Sequence, residues 1–316
     1  MKEIKVKEKR FHLQVSSKEN ELEIAELILV STNCWYENNG KVAPFSCTAE
    51  DMKIYRQVYE SIDEGCHLLM VDYTNDKVAA SCFYHLRKSH ISLGIMNVHP
   101  DYAGYGLASQ LLKEIICISE REKLPLRLIS SAMNLDSFSL YNKHSFKPEQ
   151  IFQDMLIKVP EGGFAVEMKM KGHIRKAELS DVENVYELEK GLLGLDRKHD
   201  IEYLIKNEDK IWSSYVYINE AGDCEGFLSS VFHPATKMLG PGVMKNESIT
   251  LALILTLLNE YIGETMLVLA PSKFPDLIKE LYKIGAKNCE IHMTQVRGES
   301  FEQLGVSIPT FLPESA

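Results

Sequence analysis

Apolar residues recur along this chain at two spacings, and the change from one spacing to the other marks out its elements. Between Glu19 and Val30 they fall at Leu22, Ile24, Ala25, Leu27, Ile28 and Leu29, one face of a helix. The polar and aromatic run Ser31 to Thr48 reads as a long loop, and Thr48 with Asp51 three residues on is a capping box opening a helix through Tyr59. His67 to Tyr73 and Lys77 to His85 are rich in strand formers and are joined by Thr74-Asn75-Asp76 as a hairpin turn. Ile91 to Val98 alternates and then runs apolar like a buried strand, after which Leu107, Leu111, Leu112, Ile115 and Ile116 return to helical spacing. A strand at Leu126 to Ser130, a helix from Asp136 to Lys143 and strand pieces through Val159 complete an α+β unit with a mixed sheet. The start, Lys2 to Arg10, interleaves lysines with glutamates and reads as a solvated tail.

Gly162 and Gly163 follow Pro160 and close that unit, and after Gly172 the pattern restarts. A short strand leads to Ser180 or Asp181 as an N-cap and to a helix with Val182, Val185, Leu188 and Leu192 on one face. Strands at Ser214 to Ile218 and Cys224 to Val231, a turn at Leu239-Gly240-Pro241-Gly242, a helix near Glu247 to Tyr261, a strand at Thr265 to Leu269 and a helix from Pro275 to Ile284 follow. This order repeats the first half without any run of identity, so an internal duplication rests on element order alone. The expected organisation is a first domain over 1–160, a linker over 161–171 and a second domain over 172–316.

Composition narrows the classes. A chain of 316 residues, 45% hydrophobic and 25% charged, has room for two cores of ordinary size. A net charge of -10 argues against a nucleic-acid surface, which needs clustered Lys and Arg. Seven cysteines form no C-x-x-C pair, which indicates neither a disulfide framework nor a zinc site and fits free thiols in a reducing cytoplasm. No metal is expected. The start has no apolar stretch of signal-peptide type, and Ile249 to Leu258, the longest apolar candidate, is too short for a bilayer and reads as a buried helix.

Candidate chemistry sits where the strand ending at Val98 meets the helix starting near Leu107. Gly104 and Gly106 leave the first helical N–H groups open to close approach, an arrangement that favours an anion such as phosphate. A Walker loop needs Lys after the last glycine and none follows Gly106. A dinucleotide fold needs a carboxylate at the end of the next strand, which here reads Leu128-Ile129-Ser130-Ser131. A tight turn whose glycines serve packing alone is the plain alternative.

Val98-His99-Pro100 followed by Ala103-Gly104-Tyr105-Gly106-Leu107-Ala108 resembles the acetyl-coenzyme A signature of the GNAT (Gcn5-related) N-acetyltransferases, a strand, V-x-P and [Q/R]-x-x-G-x-[G/A] opening a helix. The family's second landmark, N-x-x-[A/S]-x-x-x-Y-x-x-x-G-F, is matched by Asn134, Ser137, Tyr141 and Phe146. Ala103 stands where Gln or Arg is usual, and Ser145 where glycine is usual. The resemblance covers roughly 10–158. It implies a GNAT fold, α+β with a central mixed, mostly antiparallel sheet flanked by helices. The second half resembles the degenerate GNAT-like domain that follows such a domain in some bacterial proteins. Pro241 removes an amide there, so no second coenzyme is expected, although Gly285 follows Tyr282 near where the family's tyrosine and glycine fall.

The resemblance implies acetyl-CoA as acetyl donor and a primary amine of a small molecule or peptide as acceptor, with direct attack in a ternary complex. Ala103, Gly104, Tyr105, Gly106, Leu107, Ala108 and Ser109 cradle the pyrophosphate, Met96, Asn97 and Val98 pair with the pantetheine arm, and Asn134 holds that arm or the helix start. Tyr141 is implied as general acid toward the thiolate, against its plainer reading as a core tyrosine. Trp35 and Tyr36 line the acceptor pocket or pack down their loop. The strand 91–98 offers Ser92 and Asn97 but no carboxylate as base, and His99 in such a loop ordinarily serves structure. A protein that binds the coenzyme without catalysis is the alternative. No membrane partner is expected, and monomer and homodimer both remain open.

Overall fold

A computed structural model describes residues 2–166 and 172–315, so the expected linker lies outside the described residues from 167 onward. The chain divides into two compact units, one of Met1–Leu86, Ile91–Leu126 and Phe311–Glu314, the other of Arg87–His90, Arg127–Thr310 and Ser315–Ala316.

In the first unit β1 (Lys2–Val6), β2 (Lys9–Val15), β3 (His67–Asp72), β4 (Val78–Leu86) and β5 (Ile91–Val98) pair antiparallel in that order. Helices α1 (Glu21–Asn38), α2 (Ala49–Ile62) and α3 (Leu107–Glu122) pack on this sheet. Every residue of β3 and all of β4 through His85 is buried, and since alternate side chains point to opposite faces, both faces are covered.

Two expectations are corrected here. The charged start is no tail but the hairpin β1–β2, anchored by buried Phe11 and Leu13, with its charged residues exposed except for half-buried Lys9. The loop expected from Ser31 is shorter, because α1 continues to Asn38. Its polar Ser31 is accommodated by donating from Oγ to the Leu27 carbonyl at 2.6 Å. Asn33 holds what remains of the loop, donating to the Phe45 carbonyl at 2.9 Å and accepting from the Phe45 N–H at 3.1 Å. The Thr48–Asp51 capping box forms as expected.

The second unit carries β6 (Leu126–Ser131, from Arg127 on), α4 (Leu135–Lys143), β7 (Lys147–Lys158), β8 (Gly172–Lys176), α5 (Val182–Leu193) and α6 (Lys198–Lys206). It continues with β9 (Trp212–Asn219), β10 (Cys224–His233), β11 (Thr236–Met244), α7 (Glu247–Leu258), β12 (Thr265–Pro271), α8 (Pro275–Lys283), β13 (Lys287–Arg297) and β14 (Val306–Ile308). Its strands run β6-β13-β7-β12-β11-β10-β9-β8, with β14 beside β11. The β11–β12 pair is parallel, while the β7, β8, β9, β10 and β14 ladders are antiparallel. Ile249, Leu253, Leu257 and Leu258 of α7 are buried against Met155, Ile157, Met266 and Val268, so α7 is the interior helix its composition suggested. None of the described helices is long and apolar enough to cross a membrane. The Leu239–Gly242 turn is corrected, since these residues lie inside β11, and α6 is an element the pattern did not reveal.

The division between units falls near residue 126 rather than 160 because β7 is flanked on both edges by later strands, β12 and β13. The passage strand, nine-residue helix, left-handed residue, strand occurs twice, as β6-α4-Ser145-β7 and as β12-α8-Gly285-β13. The two copies hold each other by matching contacts: Ala132 N–H donates to the Ile291 carbonyl at 2.8 Å, and Ser272 N–H to the Ile151 carbonyl at 2.9 Å. Element order alone suggested a duplication, and this near-twofold exchange gives it a structural form. It also fixes the register, placing Leu281, not Tyr282, opposite Tyr141 in the repeat.

Candidate functional site

β5 changes character halfway along. Ile91, Ser92 and Leu93 are buried, whereas Gly94 to Val98 are half-buried. Its register with β4 shifts between Cys82 and Tyr84, where β5 carries an extra residue, a bulge that bends and twists a strand. Met96, Asn97 and Val98 follow the bulge. Asn97 is fixed by donating from Nδ2 to Ser31 Oγ at 2.7 Å, which ties the strand to α1.

Beyond Val98, His99 accepts from the Asp101 N–H at 3.2 Å and caps the turn Pro100–Tyr102, so its role is structural. The N–H of Ala103 is used on Pro100 at 3.0 Å and that of Tyr105 reaches Tyr102 at 3.4 Å. Gly104 and Gly106 have φ of +75° and +73°, a backbone that L side chains rarely adopt. A Cβ built on either glycine meets nothing within 4 Å, so packing does not require glycine here. Open space lies over them instead. Gly106 is the N-cap of α3 and offers no side chain, and the N–H groups of Leu107 and Ala108 are the first of the helix, beyond the reach of intrahelical acceptors. These donors and the positive end of the α3 dipole face a space that an anion can enter.

The β1–β2 hairpin brings two cations to this loop. Lys7 Nζ lies 5.0 Å from the centre of the Tyr105 ring, and Lys9 Nζ 4.6 Å from that of Tyr102. Lys9 also pairs with Asp72 at 3.0 Å. Burial pushes the Asp72 carboxyl up, but the Thr74 N–H, Lys9 and Tyr102 outweigh it and hold it down to about 2. The hydrogen bond to Asp72, with the Asp72 charge behind it, in turn raises the Lys9 pKa, so Lys9 stays an ammonium. Spacing in the Lys-rich start does not signal these contacts, because only the pairing of β1 with β2 and β2 with β3 carries the lysines to this loop.

Trp35 and Tyr36 lie on α1, half-buried, with ring centres 5.0 Å apart and edge to face, rather than in a loop. Asn134 and Tyr141 belong to the second unit. Asn134 is the N-cap of α4, its Oδ1 accepting from the Ser137 N–H at 3.0 Å. Tyr141 is 6% exposed with its ring 5.6 Å from that of Phe146, a packed tyrosine. Ser145 has φ of +67°, the conformation for which glycine is usual, so the departure from the motif is one of side chain and not of backbone.

A further group assembles in the first unit from positions far apart in the chain. Tyr59 of α2 stacks on His85 at 4.5 Å, and His85 Nδ1 meets Asp63 at 2.6 Å. A Cβ at Gly94 would stand 2.4 Å from the Tyr59 hydroxyl, so the bulged strand reaches this tyrosine only because residue 94 is glycine. The segment Phe311–Glu314 enters the same unit, and the Glu314 N–H donates to the Tyr59 hydroxyl at 3.1 Å. No spacing in the sequence signals a contact of this separation.

The model of the Acetyltransferase (GNAT) family matches residues 32–146. No curated protein matches the chain by sequence. Among solved structures, a putative acetyltransferase from Pyrococcus horikoshii superposes with a TM-score of 0.73 at 15% identity, over 96% of this chain and 95% of that one. A GCN5-related N-acetyltransferase from Sphaerobacter thermophilus gives 0.65 at 18%, over 95% and 98%. A tandem GNAT protein from the clavulanic acid biosynthesis pathway gives 0.60 at 11%, over 92% and 99%. At these identities the likeness is one of fold, and it extends over both halves.

Proposed function

We propose, from the match of residues 32–146 to the model of the Acetyltransferase (GNAT) family, that the chain is an N-acetyltransferase, moving the acetyl group of acetyl-CoA to a primary amine of a small molecule or peptide. The single observation that carries this is the open, positive-φ glycine loop at the N-terminus of α3. Gly104, Gly106, Leu107, Ala108 and Ser109 contribute backbone donors for the pyrophosphate, and Lys7 and Lys9 add charge beside them, which reconciles an anion site with an acidic chain. Ala103 and Tyr105 shape the turn while their own N–H groups serve it. Met96 to Val98, on the half-buried part of β5, suit pairing with an extended arm.

In the proposed reaction the neutral amine attacks the thioester carbonyl carbon, a C–N bond forms and the C–S bond breaks. The leaving sulfur takes a proton from the Tyr141 hydroxyl, and the attacking nitrogen loses one to a base. Trp35 and Tyr36 are proposed to border the acceptor. Asn134, already engaged as an N-cap, contributes by setting the start of α4 on which Tyr141 rides. β5 supplies no carboxylate of its own to act as that base.

The test follows free thiol released from acetyl-CoA over a panel of primary amines, with the full chain and Tyr141→Phe. The variant is expected to turn over about 10²-fold more slowly at unchanged coenzyme affinity. An unchanged rate removes Tyr141 from the mechanism. Coenzyme binding without thiol release for any amine converts the reading to a binding protein.

A further inference from the structure

The paired strands β7 and β13 of the second unit bring together three side chains that the acyl-transfer reading does not use. Asp154 and Glu290 are directly opposed across the ladder, and His292, two residues beyond Glu290, points to the same face. Their exposures are 3%, 8% and 8%. His292 Nδ1 lies 2.9 Å from Asp154 Oδ1, and Glu290 accepts a hydrogen bond from Ser131 Oγ on β6. One ligand atom from each residue can be chosen so that all three lie within 4.8 Å of one another.

We propose that Asp154, Glu290 and His292 form a site for one divalent transition-metal ion, of which zinc is the best-fitting member, and that the ion fastens β7 to β13. The first argument is geometric. Two ligand atoms about 2.1 Å from a tetrahedral ion stand about 3.4 Å apart; the His292–Asp154 pair at 2.9 Å is near that spacing, and Glu290, with an atom within 4.8 Å of both, closes on the same centre by side-chain rotation. The second is chemical. One imidazole nitrogen with two carboxylate oxygens is a borderline set that suits zinc, whereas an all-oxygen set would suit magnesium or calcium. The third is electrostatic. Two carboxylates side by side in a buried place repel, one imidazolium offsets at most one of them, and a divalent cation offsets both. Three protein ligands leave a fourth position to water or to the Ser131 hydroxyl.

Such an ion would be structural. It would lock the exchanged strand β7 in its place between β12 and β13, the feature on which the second unit's sheet is built. The inference stands independently of the acyl-transfer reading.

The test uses the untagged full chain, stripped with a chelator and dialysed. Titration with zinc chloride in a calorimeter is expected to show one tight equivalent per chain, and saturation to raise the melting temperature by about 5 °C. Cobalt(II) is expected to give visible d–d bands without the intense thiolate charge-transfer band. His292→Gln and Asp154→Asn, close in volume to the native residues, are each expected to lose that equivalent and the thermal shift. Should either fail to fold by circular dichroism, Glu290→Gln, which keeps an acceptor for Ser131, makes the same comparison. The proposal is overturned if the stripped wild type takes up neither metal, if the folded variants bind as the wild type does, or if cobalt reports a thiolate.

Discussion

Replacing Gly106 by alanine separates the two jobs assigned to that residue. With φ at +73° an alanine is strained by about 1–2 kcal/mol, and the lower entropy of its unfolded chain returns about 0.4–1 kcal/mol. No heavy atom lies within 4 Å of the new Cβ, so no clash is added and the net loss of stability is about 1 kcal/mol, a fall of about 2–4 °C in melting temperature. Binding should suffer more. The methyl group stands in the space from which a phosphate oxygen must approach the first amides of α3. Losing one charge-assisted hydrogen bond there costs about 1.5–3 kcal/mol, a rise of about 10- to 100-fold in the Kd for coenzyme A. Gly40 supplies the control, with φ of +70° and equally open surroundings after α1, so Gly40→Ala should show the same strain without the loss of affinity. Calorimetry with coenzyme A on the wild type and both variants makes the measurement. If folded Gly106→Ala binds within twofold of the wild type, the glycines serve the turn alone and the cradle is refuted.

Two further outcomes concern stability. Asp72 is held at about 2, below the ordinary carboxyl value, so its contribution of about 2 kcal/mol is present above pH 4 and disappears as the pH falls toward 2. Denaturant unfolding of the wild type should therefore weaken over that window, and Asp72→Asn should be weaker at neutral pH and lack this part of the slope; parallel curves would show that the pairing with Lys9 and Thr74 does not stabilise the fold. Ser145 and Gly285 occupy the same left-handed position of the two repeats, so Ser145→Gly should gain about 0.5 kcal/mol and Gly285→Ala should lose about 1 kcal/mol in thermal melts, and equal signs would break the equivalence.

Much of this molecule is legible in residue order because it depends on neighbours a few positions apart. β5 spans Ile91–Val98 as its alternation indicates, the Thr48–Asp51 box opens α2, and Asn134 caps α4. The glycine loop is local in the same sense, since positive φ at residues 104 and 106 and the start of a helix follow from chain geometry within one turn. Local rules fail where burial decides. Lys2 to Arg10 looks solvated until Phe11 and Leu13 find a core to enter, and Ser31 looks like a helix end until its hydroxyl turns back on the Leu27 carbonyl. The glycine-proline pair at 240 and 241 looks like a turn, although it lies in β11, whose other neighbours complete a buried strand.

Tertiary structure alone settled the partners that lie far apart along the chain. A strand's own side chains state that it needs two neighbours but carry no address for them, because backbone hydrogen bonds are the same for every sequence. Hence β7, which reads as the end of a first domain, lies between β12 and β13. The same pairing puts Asp154 against Glu290 and His292, and the return of residues 311–314 to the first unit puts Glu314 against Tyr59. Sequence by itself determined the local elements and the glycine loop at the start of α3, through interactions within a few residues. Only the folded chain determined which distant carboxylates, imidazoles and hydroxyls share a site, since that depends on which buried faces fit one another.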